Sequence, residues 1–297
     1  MIHWQVKISC DYSRTDIPQD FLAPIRHPVL HTYILENSAE IDPERTRPCV
    51  IICPGGGYAM TSEREGEHIA LRLNALGFHA CVLTYTTVPG NPHERFHGAF
   101  PLALTELAAS VAYMRANAEK LYIDPERICV MGFSAGGHLA ASLGVFWDSA
   151  LMKDLLAKGV IPAVTDAAQV KPNAQILCYP VITSSGEFAH EGSFRTLLGD
   201  RYEELCALMS LENQVTSVTP PAFIWHTYED DAVPVENSLL FAAALRRKQI
   251  PFELHIYQKG VHGLAAANSE TCGPGGRTIQ PQCQNWIDMA AAWLRSV

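Results

Sequence analysis

Short apolar runs alternate along the chain with longer segments of helical periodicity. Residues 50–53, 128–131 and 174–179 have the continuous apolar character of strands that are covered on both faces. Between such runs, apolar residues repeat every three to four positions, as in amphipathic helices. Strands that alternate with helices favour a parallel, doubly wound sheet, and such sheets bind ligands at the carboxyl ends of their strands.

The pattern predicts eight strands and five main helices. The strands are expected at residues 4–9, 30–35, 50–53, 80–85, 128–131, 174–179, 220–225 and 252–257. The helices are expected at residues 63–76, 102–119, 235–248 and 282–297, with one more directly after Ser134. Residues 124–127 are expected to form a turn, and residues 146–171 to be less regular.

Composition favours one large core. The 297 residues are 48% hydrophobic and contain no Ser/Gly/Pro-rich linker, so we expect a single domain over residues 1–297. Within it, residues 1–48 should supply N-terminal strands and a loop, and residues 146–172 and 181–219 should run over the rim of the sheet.

Charge and hydropathy narrow the class of partner. The net charge of −9, without a basic stripe, argues against nucleic acid. No apolar stretch approaches the length of a membrane span, and the N-terminal residues lack the apolar run of a signal peptide. The sequence therefore predicts a soluble, cytoplasmic protein without a membrane partner.

Nine cysteines are present, many of them inside apolar runs. An odd number of buried thiols is typical of a reducing compartment. Their spacing does not match a zinc motif, so no metal is expected. Cys272 and Cys283 flank a Gly/Pro-rich loop, and whether they pair under oxidation stays open.

The segment Gly132-Phe-Ser134-Ala-Gly136 follows an apolar run and precedes a small-residue helix. A serine on a sharp strand-to-helix turn exposes its hydroxyl, and the close approach of strand and helix requires glycine on either side. The helix N-terminus and the Ala135 amide would face a developing negative charge. The alternative is a glycine-rich junction with a solvated serine.

A candidate acid, Asp230, and a candidate base, His262, follow Ser134 in the sequence. Each of the three residues lies just past a predicted strand. A serine nucleophile needs a base to accept its proton and an acid to orient that base. His226 is the rival base, but it precedes the acid and is expected to pack behind it. His138 is expected to be a packing residue.

The acid lies in a run of three, Glu229, Asp230 and Asp231. Because neighbouring side chains point in different directions, only one can face the imidazole, and the other two are expected in a solvated loop.

Another glycine run, 55–57, follows a central strand and offers amides that no side chain obstructs. Two of these amides with that of Ala135 would form an oxyanion hole. The alternatives are a tight turn or a phosphate cradle, but the Gly-Lys-Ser/Thr of a P-loop is absent.

Four motifs together resemble those of a known protein family. They are Pro54-Gly-Gly-Gly-Tyr58, Gly132 to His138, Asp230-x-x-Val-Pro234 with residues 236–238, and His262-Gly263. Over residues 48–297 the chain resembles the α/β-hydrolase superfamily, within its esterase/lipase-like group related to acetylxylan and other carbohydrate-ester esterases. The resemblance implies a mostly parallel central sheet flanked by helices on both faces.

For the site, the resemblance selects Asp230 as the acid and assigns the oxyanion amides to Gly56, Gly57 and Ala135. Pro54 departs from the His-Gly-Gly-Gly of hormone-sensitive-lipase relatives and brings the chain nearer the carbohydrate-ester branch. Residues 269–277 depart too, because they are richer in Gly and Cys than the family pattern.

The expected function is a serine esterase that removes short acyl groups, chiefly acetyl, from a small-molecule or oligosaccharide ester, without a metal or organic cofactor. Tyr58 and Trp225 either offer aromatic faces to a sugar or belong to the core. Two alternatives remain, a catalytically silent binding protein and a serine exopeptidase, although the latter usually carries an additional N-terminal domain for which 48 residues leave no room. A homo-oligomer is compatible with the pattern.

Overall fold

The computed structural model describes residues 1–22, 28–88 and 97–297. In these residues eight strands form one sheet with the order β1-β2-β4-β3-β5-β6-β7-β8. The strands are β1 Ile2–Lys7, β2 Val29–Ile34, β3 Arg47–Cys53, β4 His79–Thr84, β5 Ile123–Phe133, β6 Ala174–Cys178, β7 Ala222–Thr227 and β8 Phe252–Tyr257. β2 is antiparallel to β1 and to β4, and the other neighbours are parallel, so the expected mostly parallel sheet is confirmed.

Helices cover both faces of the sheet. The described α-helices are α1 Gln19–Leu22, α2 Glu67–Ala75, α3 Leu102–Ala116, α4 Ala118–Leu121, α5 Ala135–Phe146, α6 Ala150–Ala157, α7 Glu191–Leu198, α8 Tyr202–Leu205, α9 Glu236–Arg247 and α10 Trp286–Ser296. Cys49, Ile51 and Cys53 of β3 pack in the core with α3, α5 and α9, whereas Val50 and Ile52 pack with α2 and α10. Alternate residues of a strand point to opposite faces, so its continuous apolar run fills two cores.

Two predicted boundaries are wrong. The expected turn at 124–127 lies within β5, where Arg47 pairs with Ile123 and Cys49 with Ile128, so the intervening residues form an irregularity in the ladder. The expected helix 102–119 is interrupted at Asn117, which separates α3 from α4.

Other boundaries shift because short 3₁₀ turns precede the helices. Residues Glu63–Glu65 and Pro281–Cys283 form such turns, so α2 and α10 begin four residues later than expected. The segment expected to be irregular, 146–171, contains α6, whose N-terminus is capped by the Ser149 hydroxyl accepting from the Met152 amide at 3.2 Å.

Loops at the carboxyl ends of β3, β5, β7 and β8 carry the four sequence motifs to one edge of the sheet. The connection 181–219, between β6 and β7, holds α7 and α8, and the Val181 amide donates to the Ser134 carbonyl at 3.1 Å. All nine cysteines are free thiols, including Cys272 and Cys283. Among the helices that the structure describes, none has both the length and the apolar character to cross a bilayer.

Candidate active site

Ser134 occupies a sharp turn between β5 and α5. Its backbone has φ 53° and ψ −120°, a conformation that L-residues rarely adopt. A Cβ on Gly132 would collide with the Gly136 carbonyl, and a Cβ on Gly136 would collide with the Cys53 carbonyl. The glycines at both positions are therefore required by the contact between strand and helix, and they hold the strained serine in place.

Three side chains from separate loops form one hydrogen-bonded chain. The Ser134 hydroxyl donates to His262 Nε2 at 2.8 Å, and His262 Nδ1 donates to Asp230 Oδ2, also at 2.8 Å. This assignment puts the imidazole proton on Nδ1 and leaves Nε2 as the proton acceptor. The exposed fraction of the side chain falls from 20% at His262 to 1% at Asp230, so Asp230 is shielded from water while His262 is accessible.

Asp230 is held as a carboxylate. Its Oδ1 accepts from the amides of Ala232 at 3.0 Å and Val233 at 2.8 Å. Burial acts to raise the pKa of Asp230, but hydrogen bonds from His226 and His262, and the charge of each ring, hold that pKa well below its usual range. The acid therefore remains ionised at neutral pH.

The other histidines expected near the site do not contact the serine hydroxyl. His226 is buried, with Nε2 3.0 Å from the Val233 carbonyl and 3.3 Å from Asp230 Oδ2. His138 is also buried, accepts from the Tyr58 hydroxyl at 2.8 Å and donates to the Met209 carbonyl at 3.0 Å.

Asp231 lies in an exposed loop, as expected, but its carboxylate makes two contacts there. Its Oδ1 accepts from the backbone amide of His262 at 3.0 Å, and its Oδ2 pairs with Arg277. Asp231 therefore joins the loop of the base to the loop of the acid, and Arg277 brings the glycine-rich segment 269–277 to the same rim. Glu229 is exposed to solvent, as expected.

The amides expected to form an oxyanion hole are free to bind a ligand. Gly56 and Gly57 have φ of 130° and 63°, which glycine adopts without strain. Within residues 1–22, 28–88 and 97–297, the amides of Gly56, Gly57 and Ala135 donate to no protein acceptor. Ala135 is the first residue of α5, so the positive end of the helix dipole faces the same space.

Comparison with known proteins identifies the family. The family model BD-FAE matches residues 39–245. The chain belongs to the BD-FAE family. The expected placement in the esterase/lipase-like group of the α/β-hydrolases is thereby confirmed.

Two curated relatives of this BD-FAE chain are much longer than the chain itself. It is 42% identical over 230 residues to endo-1,4-beta-xylanase B of Butyrivibrio fibrisolvens, a match that covers 75% of this chain and 33% of the relative. It is 30% identical over 221 residues to an acetylxylan esterase of Xylanibacter ruminicola, covering 72% of this chain and 40% of the relative. The matches thus span about a third and two fifths of these relatives.

Solved structures match the BD-FAE chain over nearly its full length. An acetyl ester-xyloside bifunctional hydrolase from Caldicellulosiruptor lactoaceticus superposes with a TM-score of 0.74 at 37% identity, covering 95% of this chain and 94% of that one. A carboxylesterase from Lactobacillus plantarum superposes with a TM-score of 0.81 at 30% identity, covering 100% and 98%.

Glu65 is a buried carboxylate behind the glycine loop, and its place at the site is not evident from the sequence. Its Oε2 accepts from the Gly55 amide at 2.7 Å, and its Oε1 accepts from the Tyr179 hydroxyl at 2.8 Å. The Tyr179 hydroxyl accepts in turn from the Ala265 amide at 2.9 Å, and the Tyr179 ring packs edge-on against His262 with centroids 5.1 Å apart. One side chain thus links the glycine loop to the loop of the base.

The suggestion that Tyr58 and Trp225 offer aromatic faces to a sugar is not supported, because both side chains are buried. Tyr58 is 1% exposed, with its hydroxyl bonded to His138, and Trp225 is 0% exposed. The Trp225 ring stacks on Trp286 with centroids 5.1 Å apart. Both residues belong to the core.

A metal site would need several histidine, cysteine or carboxylate side chains directed at one point. Across the described ranges, no group of three or more such residues is arranged to hold an ion.

Proposed function

We propose that this chain is a serine carboxylesterase that removes short acyl groups, chiefly acetyl, from esters of carbohydrates or similar alcohols. The observation that supports it best is the unbroken hydrogen-bond chain from Ser134 through His262 to Asp230. It lies beside three amides without protein acceptors in the described part of the chain. Nucleophile, base, acid and oxyanion donors are the parts that acyl transfer requires.

In the first half-reaction, the Ser134 hydroxyl attacks the ester carbonyl while its proton moves to His262 Nε2. The carbonyl oxygen becomes an oxyanion that accepts from the amides of Gly56, Gly57 and Ala135, each worth about 3 kcal/mol in the transition state. The intermediate collapses, the C–O bond to the alcohol breaks, and His262 returns the proton to the departing alkoxide. An acyl group remains on Ser134.

In the second half-reaction a water molecule takes the place of the alcohol. His262 Nε2 accepts a proton from the water, which attacks the acyl carbon, and the same three amides bind the second oxyanion. The bond to Ser134 then breaks, His262 returns the proton to the serine oxygen, and the carboxylic acid leaves. Throughout, Asp230 orients the ring and stabilises its transient positive charge.

The relatives support the substrate class. One is named an acetylxylan esterase, and one matching structure is an acetyl ester-xyloside bifunctional hydrolase. The connection 181–219 supports a short acyl group, because its helices α7 and α8 have eight and four residues. A long apolar helical cap, as expected for an enzyme that acts on long acyl chains, is absent from that connection.

Charge and thiol content support the remaining expectations. The net charge of −9 favours a small uncharged substrate over nucleic acid. Nine free thiols fit a reducing, cytoplasmic compartment. A single domain, the catalytic roles of the named residues and a homo-oligomeric state stay predictions.

The test is a panel of p-nitrophenyl esters from acetate to octanoate, together with acetylated xylo-oligosaccharides. Wild type is compared with Ser134→Ala and with Ser217→Ala, which alters an exposed serine without a side-chain hydrogen bond to the described residues. We expect activity on acetyl esters that is lost in Ser134→Ala and retained in Ser217→Ala. Absence of ester hydrolysis, or equal hydrolysis by Ser134→Ala, would refute the proposal.

A further inference from the structure

A segment of the 181–219 connection runs from the start of α9 to the glycine loop. At one end, the Phe188 carbonyl accepts from Asn237 Nδ2 at 2.9 Å, and Asn237 lies in the first turn of α9, just after the acid loop. At the other end, Ser193 Oγ lies 3.9 Å from the position that a Cβ on Gly57 would occupy. His190 lies between these two anchors in the sequence, and its ring is near enough to His262 and Asp230 for both charges to act on it.

The ring of His190 has a fixed orientation. Its Nδ1 is 2.8 Å from Ser193 Oγ and 3.3 Å from the Ser193 amide, and this contact caps the N-terminus of α7. Because Nδ1 accepts from the amide, the proton of the neutral ring is on Nε2. Within the residues that the structure describes, Nε2 has no hydrogen-bond partner, and the side chain is half-buried.

The electrostatic surroundings keep this ring neutral. Burial lowers the pKa of His190 and the charge of His262 lowers it further, whereas Asp230 acts in the opposite direction. Both residues therefore lie close enough to His190 to influence it. At neutral pH the group presented at the rim is an uncharged N–H donor.

An acetyl ester has few oxygens for such a donor. Its carbonyl oxygen is directed to the amides of Gly56, Gly57 and Ala135, and the acetyl methyl cannot accept a hydrogen bond. The remaining acceptors are on the alcohol. A carbohydrate offers neighbouring hydroxyls and a ring oxygen, while p-nitrophenol offers the ester oxygen and, at the far end of its ring, a nitro group.

We propose that His190 Nε2 donates a hydrogen bond to a hydroxyl or ring oxygen of the alcohol part of the bound ester, and that His190 thereby selects polyhydroxylated alcohols. This inference rests on the proposed esterase function. It assigns alcohol selectivity to the segment that enters α7, apart from Ser134, His262 and Asp230, which carry out the chemistry.

The experiment compares His190→Asn with wild type and with His68→Asn, which alters an exposed histidine of α2. Asparagine keeps a side-chain oxygen to cap α7 but is too short to place a donor where Nε2 stands. The measurement is kcat/KM on acetylated xylo-oligosaccharides and on p-nitrophenyl acetate. Loss of one neutral hydrogen bond should lower the ratio of the two values about tenfold in His190→Asn, and His68→Asn should keep the wild-type ratio.

A second variant, His190→Gln, tests whether a donor is what matters. Its longer side chain places an amide N–H near the position of Nε2, so most of the wild-type ratio should return. If both substrates lose activity equally in His190→Asn, or if the glutamine and asparagine variants have the same ratio, the assignment is wrong. Melting temperatures of all variants show whether α7 remains folded.

Failure of this inference differs from failure of the proposed function. A wild-type ratio retained in His190→Asn overturns the role of His190 while leaving a serine esterase. Wild-type hydrolysis of p-nitrophenyl acetate without hydrolysis of any acetylated sugar overturns the role of His190 and the carbohydrate substrate together. Hydrolysis that persists in Ser134→Ala overturns both proposals.

Discussion

His226 lies against the acid of the site, with its Nε2 3.3 Å from Asp230 Oδ2. The same oxygen accepts from His262 Nδ1 at 2.8 Å, so two imidazoles share one carboxylate oxygen. The second ring nitrogen of His226 accepts from the Ser238 hydroxyl at 2.7 Å, which leaves the ring proton on Nε2, between the Val233 carbonyl at 3.0 Å and the acid at 3.3 Å. His226 thus helps to keep Asp230 ionised without contacting the nucleophile.

Replacement of His226 by Phe should weaken the site without abolishing activity. Asp230 would lose one of its donors, and the pKa of Asp230 should rise toward its usual range. We expect the free energy of unfolding to fall by about 1–3 kcal/mol, because a buried carboxylate loses a hydrogen bond, and kcat to fall about tenfold. Urea unfolding and ester kinetics measure both. His255→Phe, on β8, is the control, and an unchanged kcat in His226→Phe would contradict this role.

Two neighbouring carboxylates should respond differently to the same change. Asp230→Asn should lower kcat by about 10⁴-fold, because an amide cannot hold the required tautomer of His262. Asp231→Asn should change kcat little, since its remaining side-chain oxygen still accepts from the His262 amide. The lost ion pair with Arg277 is exposed and contributes little.

Steady-state kinetics on p-nitrophenyl acetate decide between the two acids. Asp231→Ala, which removes the acceptor altogether, should fall between the two asparagine variants because the loop of the base is then released. A large loss of kcat in Asp231→Asn with a small loss in Asp230→Asn would reverse the assignment of the acid.

Glu65 should act as a positioning residue for the oxyanion loop. Its two carboxylate oxygens accept from the Gly55 amide and the Tyr179 hydroxyl. Glu65→Gln replaces one of these oxygens by an NH₂ group, which faces one of the two N–H or O–H groups and cannot accept from it. We expect kcat to fall about tenfold and the free energy of unfolding to fall by about 2 kcal/mol. Glu63→Gln, an exposed neighbour in the same 3₁₀ turn, should change neither.

A readout specific to positioning is the response to ester structure. If Glu65 supports the oxyanion loop, Glu65→Gln should lower kcat for every acyl length alike and leave KM near its wild-type value. A variant with lower stability but wild-type kcat would show that Glu65 serves folding alone.

Much of the fold could be predicted because the central strands β3 to β7 consist mainly of continuous apolar runs. Each of the eight predicted strands overlaps a strand of the structure, and 252–257 matches it fully. The predicted boundary of β5 was wrong because the hydrophobic pattern does not show whether a strand continues through a polar segment. The polar residues 124–127 have the composition of a turn, yet parallel pairing with β3 continues on both sides of them. Local composition does not reveal that the partner strand resumes.

The candidate site could be predicted where a residue follows a strand in the sequence. Ser134, Asp230 and His262 each come just past a strand end, and the parallel sheet brings those ends together. Glu65 and His190 precede helices instead, and they reach the site because loops fold back over the sheet edge. Polar residues before a helix are typical helix starts, so their position predicts capping and gives no signal of a partner distant in sequence.

His138 should make stability depend on pH. Burial lowers the pKa of this ring to about 4 from an ordinary value of 6.5, although its bond to the Met209 carbonyl acts in the opposite direction. Below pH 6.5 the unfolded chain binds a proton that the folded ring does not bind until about pH 4. The contribution to stability is therefore present above pH 6.5 and is lost as the pH falls toward 4, by roughly 3 kcal/mol in total.

In His138→Gln this loss should be absent, so the difference in unfolding free energy between wild type and variant should shrink as the pH falls. Urea unfolding at several pH values within this window measures it, and other buried histidines such as His79 cancel because both proteins contain them. A difference that stays constant across the window would show that His138 is protonated in the folded protein as readily as in the unfolded chain.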